Sequence, residues 1–237
     1  MTQAHSQRHD PRRWVTTLAA DVPAGPQGQP SHKAGAEVVA IQVLPVREIG
    51  NVSVSVPRAS VLLLNQAESH LKRAVRLQSE LPGQTRVPRW TQPGIDRDFT
   101  NEDLVFDFFE EAMAGIVLVH TALDNYANEC IPADFAYTDD GGKTLQRVEL
   151  ERRGIQLRVS RVLAAATGRP NLRNSNSGLW GRVEELEALR DDISHAKWEV
   201  GFSHESPELT IYARLIGDPN LLRHYETVVE VMAHYTG

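Results

Sequence analysis

The chain has 237 residues, 41% of them apolar, and a formal net charge of −6. That length buries a core in one large domain, or in one domain with an appendage, and the acidic balance excludes a protein that coats nucleic acid indiscriminately. The single cysteine, Cys130, excludes an intrachain disulfide framework and points to the reducing cytoplasm.

Residues 1–36 are rich in Pro, Gly, Gln, His and Ser without periodicity and read as a mobile tail. Arg12-Arg13 is not an export signal, because Thr16, Thr17, Asp21 and Pro23 interrupt the apolar segment that would have to follow. No apolar run approaches the ~20 residues of a membrane span. Residues 37–57 hold two valine-rich stretches, AEVVAIQVL and NVSVSV, which predict short strands that form a hairpin.

From residue 58 to 237 the pattern is helical. Val61, Leu64, Ala67, Leu71, Val75 and Gln78 give a first helix that Pro82-Gly83 stops. A proline-rich loop with Trp90 follows. Thr100 is the expected N-cap of a second helix running to Cys130, with Val105, Phe108, Phe109, Ala112, Ile116, Val119, Leu123, Tyr126 and Ala127 on one face. A loop, TDDGGK, precedes a third helix over 144–166 with Val148, Ile155, Val159, Val162 and Ala166 inward. The loop NLRNSNSG leads to a fourth helix from Leu179 to Lys197. ELTIYARLI reads as a strand or an ill-defined turn, and Asp218-Pro219 as the start of a last helix with Leu222, Tyr225, Val229 and Met232 inward. The expected fold is therefore mainly α, an antiparallel bundle of about five helices with a short β hairpin near the N-terminus.

Charge is uneven along this segment. Residues 143–182 carry Lys143, Arg147, Arg152, Arg153, Arg158, Arg161, Arg169, Arg173 and Arg182 against Glu149 and Glu151. That density reads either as a solvated helix face or as an electrostatic footprint for phosphate.

Little else in the chain carries chemistry. No glycine-rich phosphate loop follows a strand, and no Cys/His cluster has metal-ligand spacing, so no cofactor and no metal are expected. His120, His204, His224 and His234 are scattered and read as surface or half-buried residues. The adjacent pairs Glu110-Glu111 and Asp139-Asp140 point apart and read as solvation. This leaves LEALRDDISHAKW at the end of the fourth helix. An arginine five residues before a histidine is expected about once by chance in this composition, so the bare spacing decides nothing.

Its surroundings decide more. LWGRVEELEALRDDISHAKW, with Arg190, Asp191 and His195 after Leu189, resembles the motif helix of HEPN domains, an all-α superfamily of ribonucleases and related toxins whose signature is Arg, a polar residue, three to five residues, then His. VLVHTALDNYANECIP resembles the long helix of the same family. The likeness spans residues 58–236 in helix order and is specific at about twenty positions. It implies a metal-independent endoribonuclease, a toxin or defence effector, in which a homodimer brings two motifs together across a cleft. His195 would move protons, Arg190 would hold the scissile phosphate and Asp191 would orient the histidine. RNA is the implied substrate and an antitoxin or regulatory protein the implied partner. Lys197 stands where some family toxins carry a tyrosine that an antitoxin modifies, so that route of control is not expected.

The chemistry is consistent with those residue types. Histidine titrates near neutrality, arginine offers a planar fork of donors to phosphate, and Asp191 and His195 are i,i+4 neighbours. Two alternatives stay open: a non-catalytic HEPN-like module for dimerisation and RNA or protein binding, and an unrelated helical bundle.

Overall fold

A computed structural model describes residues 15–17, 21–23, 31, 33–39, 41–86, 98–195 and 207–236. It is mainly helical, with small antiparallel two-stranded sheets. The chain divides into two compact units, Met1–Leu62 and Leu63–Gly237.

In the first unit, β1 (Val15–Thr17) pairs antiparallel with β2 (Glu37–Val39), so part of the expected tail is a strand. β3 (Ile41–Val46) and β4 (Gly50–Ser55) form the anticipated hairpin, with Ile41 opposite Ser55 and Val46 opposite Gly50. Strict alternation places Val52 and Val54 on the face opposite Ser53, as the period of two demands.

The second unit is built around two long helices. In α1 (Ala59–Glu80), Leu64, Ala67, Leu71, Ala74 and Leu77 are buried. Gln78, placed on that stripe by spacing, instead donates from Nε2 to the carbonyls of Ile216 and Asp218. A pairing of β5 (Thr85–Arg86) with β6 (Asp98–Phe99) follows; Trp90 and its loop lie outside the described residues. The N-cap of α2 (Glu102–Glu129) is Asn101, not Thr100: its Oδ1 accepts from Leu104 N, while the Thr100 hydroxyl donates to the Gln84 carbonyl. Val105, Phe108, Ala112, Ile116, Val119, Leu123, Tyr126 and Ala127 are buried along α2. Gly115 lets α1 approach, since a Cβ there would stand 2.6 Å from Leu71 Cδ2.

The region expected as one third helix is broken. TDDGGK is the turn between β7 (Ala136–Thr138) and β8 (Thr144–Gln146). Asp139 Oδ1 accepts from Gly141 N and Lys143 N, which fixes that turn. Short helices α3 (Arg147–Leu150) and α4 (Ile155–Leu157) are separated around Gly154, and this break leaves Val148 exposed rather than inward. A π-helical turn, Arg158–Val162, joins α4 to α5 (Leu163–Thr167), which Gly168 ends in the left-handed conformation. Part of NLRNSNSG forms α6 (Leu172–Ser175).

α7 (Ser177–Ser194) buries Leu179, Trp180, Val183, Leu186 and Leu189. ELTIYARLI is helical within α8 (Pro207–Gly217); alternation over so short an apolar run does not distinguish strand from helix. α9 (Leu222–Thr236) begins after Asp218, whose carboxylate takes Asn220 N and His224 Nε2 instead of capping. Its buried face is His224, Thr227, Val228, Val231 and Tyr235, one step round from the expected stripe, and Val229 is exposed. α2 packs against α7, α8 and α9, and α7 against α9.

Candidate functional site

The motif residues lie at the C-terminal end of α7, where the helix runs out of buried apolar positions after Leu189. His195 is the C-cap; its backbone N–H still bonds the Asp191 carbonyl at 2.9 Å, and its side chain is exposed. Lys197 and Trp198 lie outside the described residues.

Arg190 is partly exposed and points back to α2. Its Nε donates to His120 Nδ1 at 3.3 Å, and Nη2 stands 3.4 Å from His120 Nε2. A neutral imidazole has one acceptor nitrogen, so in the tautomer protonated at Nε2 the bond is made at Nδ1. Arg190 Nη1 faces Asp191 Oδ1 at 2.8 Å. Asp191 thus sits on the arginine, whereas the sequence assigned its carboxylate to His195. Glu187, a further acid within reach in sequence, accepts from Gln156 Nε2 instead.

His120 is the residue that sequence reasoning missed. It is 4% exposed, not at the surface. Burial first, and then the charge of Arg190, push its pKa down to about 4, against the opposing pull of Asp124 and Asp191. The ring is therefore neutral at physiological pH and suited to accept from a guanidinium. The signal was present: His120, Asp124 and Asn128 recur at i, i+4 and i+8, a polar ridge along a helix that is otherwise apolar on that side.

A second arginine meets the same ridge. Arg158, counted among the basic face, is 4% exposed. Its Nη2 pairs with Asp124 Oδ1, Nη1 donates to Asn128 Oδ1 at 2.7 Å, and Nε donates to the Arg153 carbonyl at 2.9 Å. The π turn begins at Arg158. The result is a polar seam along α2: Arg158 locked at one end, Arg190 held beside the open end of α7 at the other.

Two acidic pairs also do more than solvate. Glu111 accepts from His70 and Arg73; burial raises its pKa, but those partners outweigh it and hold the carboxyl low. Asp140 pairs with Arg161. His224 is buried against Asp218, His234 bonds the Pro170 carbonyl, and His204 lies outside the described residues. Among the described residues no group of three or more His, Cys, Asp or Glu is placed to hold a metal, and no helix is long and apolar enough to cross a membrane.

Comparisons with protein-family models, with curated proteins and with solved structures find no match.

Proposed function

We propose that this chain is a metal-independent endoribonuclease of the HEPN type, a toxin or defence effector that works as a homodimer. The observation that carries the proposal is the arrangement at the end of α7: an exposed His195 five residues beyond a partly exposed Arg190 whose guanidinium is held by the neutral ring of His120 and by Asp191. A guanidinium oriented before substrate arrives needs no reorganisation when charge builds on a phosphate. The packing of α2 against α7, α8 and α9 supports an antiparallel bundle of the kind this reading requires.

In the proposed reaction the substrate 2′-oxygen attacks the adjacent phosphorus and loses its proton to an imidazole. The bond to the 5′-oxygen breaks, and a second imidazole protonates that leaving group. The products are a 2′,3′-cyclic phosphate and a 5′-hydroxyl, and DNA, without the 2′-hydroxyl, is not cut. Two copies of the motif facing each other would supply base and acid together, with Arg190 on the non-bridging oxygens.

A second reading, a non-catalytic HEPN-like module that dimerises or binds RNA or protein, is favoured by one specific contact. Asp191 and His120 already satisfy much of the guanidinium, as they would in a structural pair.

Cleavage of structured and single-stranded RNA in EDTA separates the two, with His195→Ala and Arg190→Ala run alongside. Cutting that both variants lose, with cyclic-phosphate ends, is the expected outcome. A folded dimer that cuts none of several RNAs turns the conclusion to the binding module.

A further inference from the structure

The basic segment is thinner on the surface than its composition implies. Arg158 is buried, while Lys143, Arg147, Arg161 and Arg182 face carboxylates. Arg173 is exposed and makes no ion pair among the described residues. With Arg161 it lines a cavity of about 560 Å³ formed by the β7–β8 turn, the π turn, α5 and α6.

We propose that this cavity binds a nucleoside monophosphate, free or as one unit of single-stranded RNA. The charge fits: two arginines line the cavity with one carboxylate, Asp140, which is 81% exposed and pairs with Arg161, a guanidinium that Tyr137 also hydrogen-bonds. A phosphate arriving between Arg161 and Arg173 displaces an exposed carboxylate with little loss, because such surface pairs contribute little, and gains forked donors in return. The size fits: this volume is in the range of small-molecule sites, and far larger than a bare phosphate needs. Ala164 and Ala165 add only small side chains to the lining.

The remaining walls fit a base better than a peptide. Asn171 and Asn174 offer side-chain amides, groups that match the mixed donors and acceptors of a base edge. Asn171 Oδ1 accepts from Arg173 N at 2.9 Å, which leaves its amide N–H groups available to donate. Tyr137 packs against the small cluster of Ile131, Leu145, Leu150 and Val162, which fixes its ring at the cavity wall. An acidic peptide would use the arginines and leave the amides and the ring idle.

The choice of RNA rests on the nuclease reading, so the test reads binding and not cutting. The full chain carrying His195→Ala is titrated with a labelled single-stranded hexaribonucleotide by anisotropy, and with 5′-AMP by NMR. Arg161→Gln and Arg173→Gln each weaken the hexanucleotide about tenfold or more and lower its salt slope by about one. Asp140→Asn tightens it. Both arginines are exposed, and circular dichroism confirms that the variants fold. AMP shifts at Tyr137 and Asn174 identify a free-nucleotide pocket; a response to the hexanucleotide alone identifies a strand site. Affinity unchanged in both arginine variants, absence of binding to either probe, or stronger capture of a phosphopeptide overturns the proposal. RNA bound here without cleavage by the native chain keeps this site and defeats the nuclease; cleavage lost with His195 and Arg190 but indifferent to these variants does the reverse.

Discussion

Arg190 and His120, seventy residues apart, form the joint between α7 and α2: the arginine Nε donates to the buried ring at 3.3 Å. Two cationic residue types coexist there only because one of them is uncharged. Burial and the neighbouring guanidinium hold the imidazole pKa at about 4. Between pH 6.5 and 4 the unfolded chain therefore carries a proton on His120 that the folded chain does not. Stability from this joint is complete above pH 6.5 and is lost as pH falls toward 4, by about 3 kcal/mol in all. Urea unfolding at pH 7.5, 5.5 and 4.5 measures it, with His120→Gln as control. The glutamine variant loses this acid sensitivity; equal pH slopes in the two proteins would rule the joint out.

Asp124 and Arg158 give an asymmetric pair. Arg158 has a side chain 5% exposed, whereas Asp124 is 36% exposed. Removing the acid strands a charge that water cannot reach; removing the base leaves a carboxylate that water partly recovers. Asp124→Ala is expected to cost about 3 kcal/mol or more, and Arg158→Met clearly less. Adding Arg158→Met to Asp124→Ala restores part of the loss, as a double-mutant cycle in denaturant shows. A double variant worse than either single one contradicts this account.

The long helices were legible because their apolar period extends over many turns: the α2 stripe predicted from Val105 to Ala127 is buried except at Phe109, which is partly buried. α9 was misread because apolar residues flank both sides of its buried line, which is completed by His224 and Thr227, polar side chains that find partners in Asp218 and the Arg223 carbonyl. The third helix was misread because its first residues pair as a strand and a turn ending at Gly154 interrupts the period, while Arg158, which looks like surface from its charge, is buried. The site was half legible. Arg190, Asp191 and His195 stand out in one short stretch, but a partner seventy residues away on another helix is set by tertiary packing alone.

At Gly115, α2 comes close to Leu71 of α1. A Cβ there would meet Leu71 Cγ at 2.7 Å and Leu71 N at 3.3 Å, and Leu71 is fully buried. Elsewhere in a helix, glycine to alanine stabilises by about 1 kcal/mol. At this position Gly115→Ala is expected to reverse that sign and destabilise by about 1–3 kcal/mol. Gly181→Ala in α7 is the matched control, since nothing lies within 4 Å of its Cβ. Thermal unfolding of the pair checks the contrast; two stabilised variants would mean that the helices separate easily.

The last prediction concerns Asp191, for which sequence and structure assign different partners. If the proposed nuclease reading holds, a carboxylate that orients His195 acts on proton transfer, so its loss would move the pH profile of RNA cleavage. A carboxylate that holds Arg190 Nη1, as the 2.8 Å contact has it, would act in the proposed nuclease on the arginine alone. Asp191→Ala is then expected to lower cleavage about tenfold, the scale of one hydrogen bond to a charged group, with the pH profile unmoved. Arg190→Lys, which keeps the charge but loses the fork on both Asp191 and His120, is expected to cost a comparable factor, and the double variant little more than either alone. A shifted profile in Asp191→Ala would return the carboxylate to His195 and require the C-terminal end of α7 to rearrange when RNA binds.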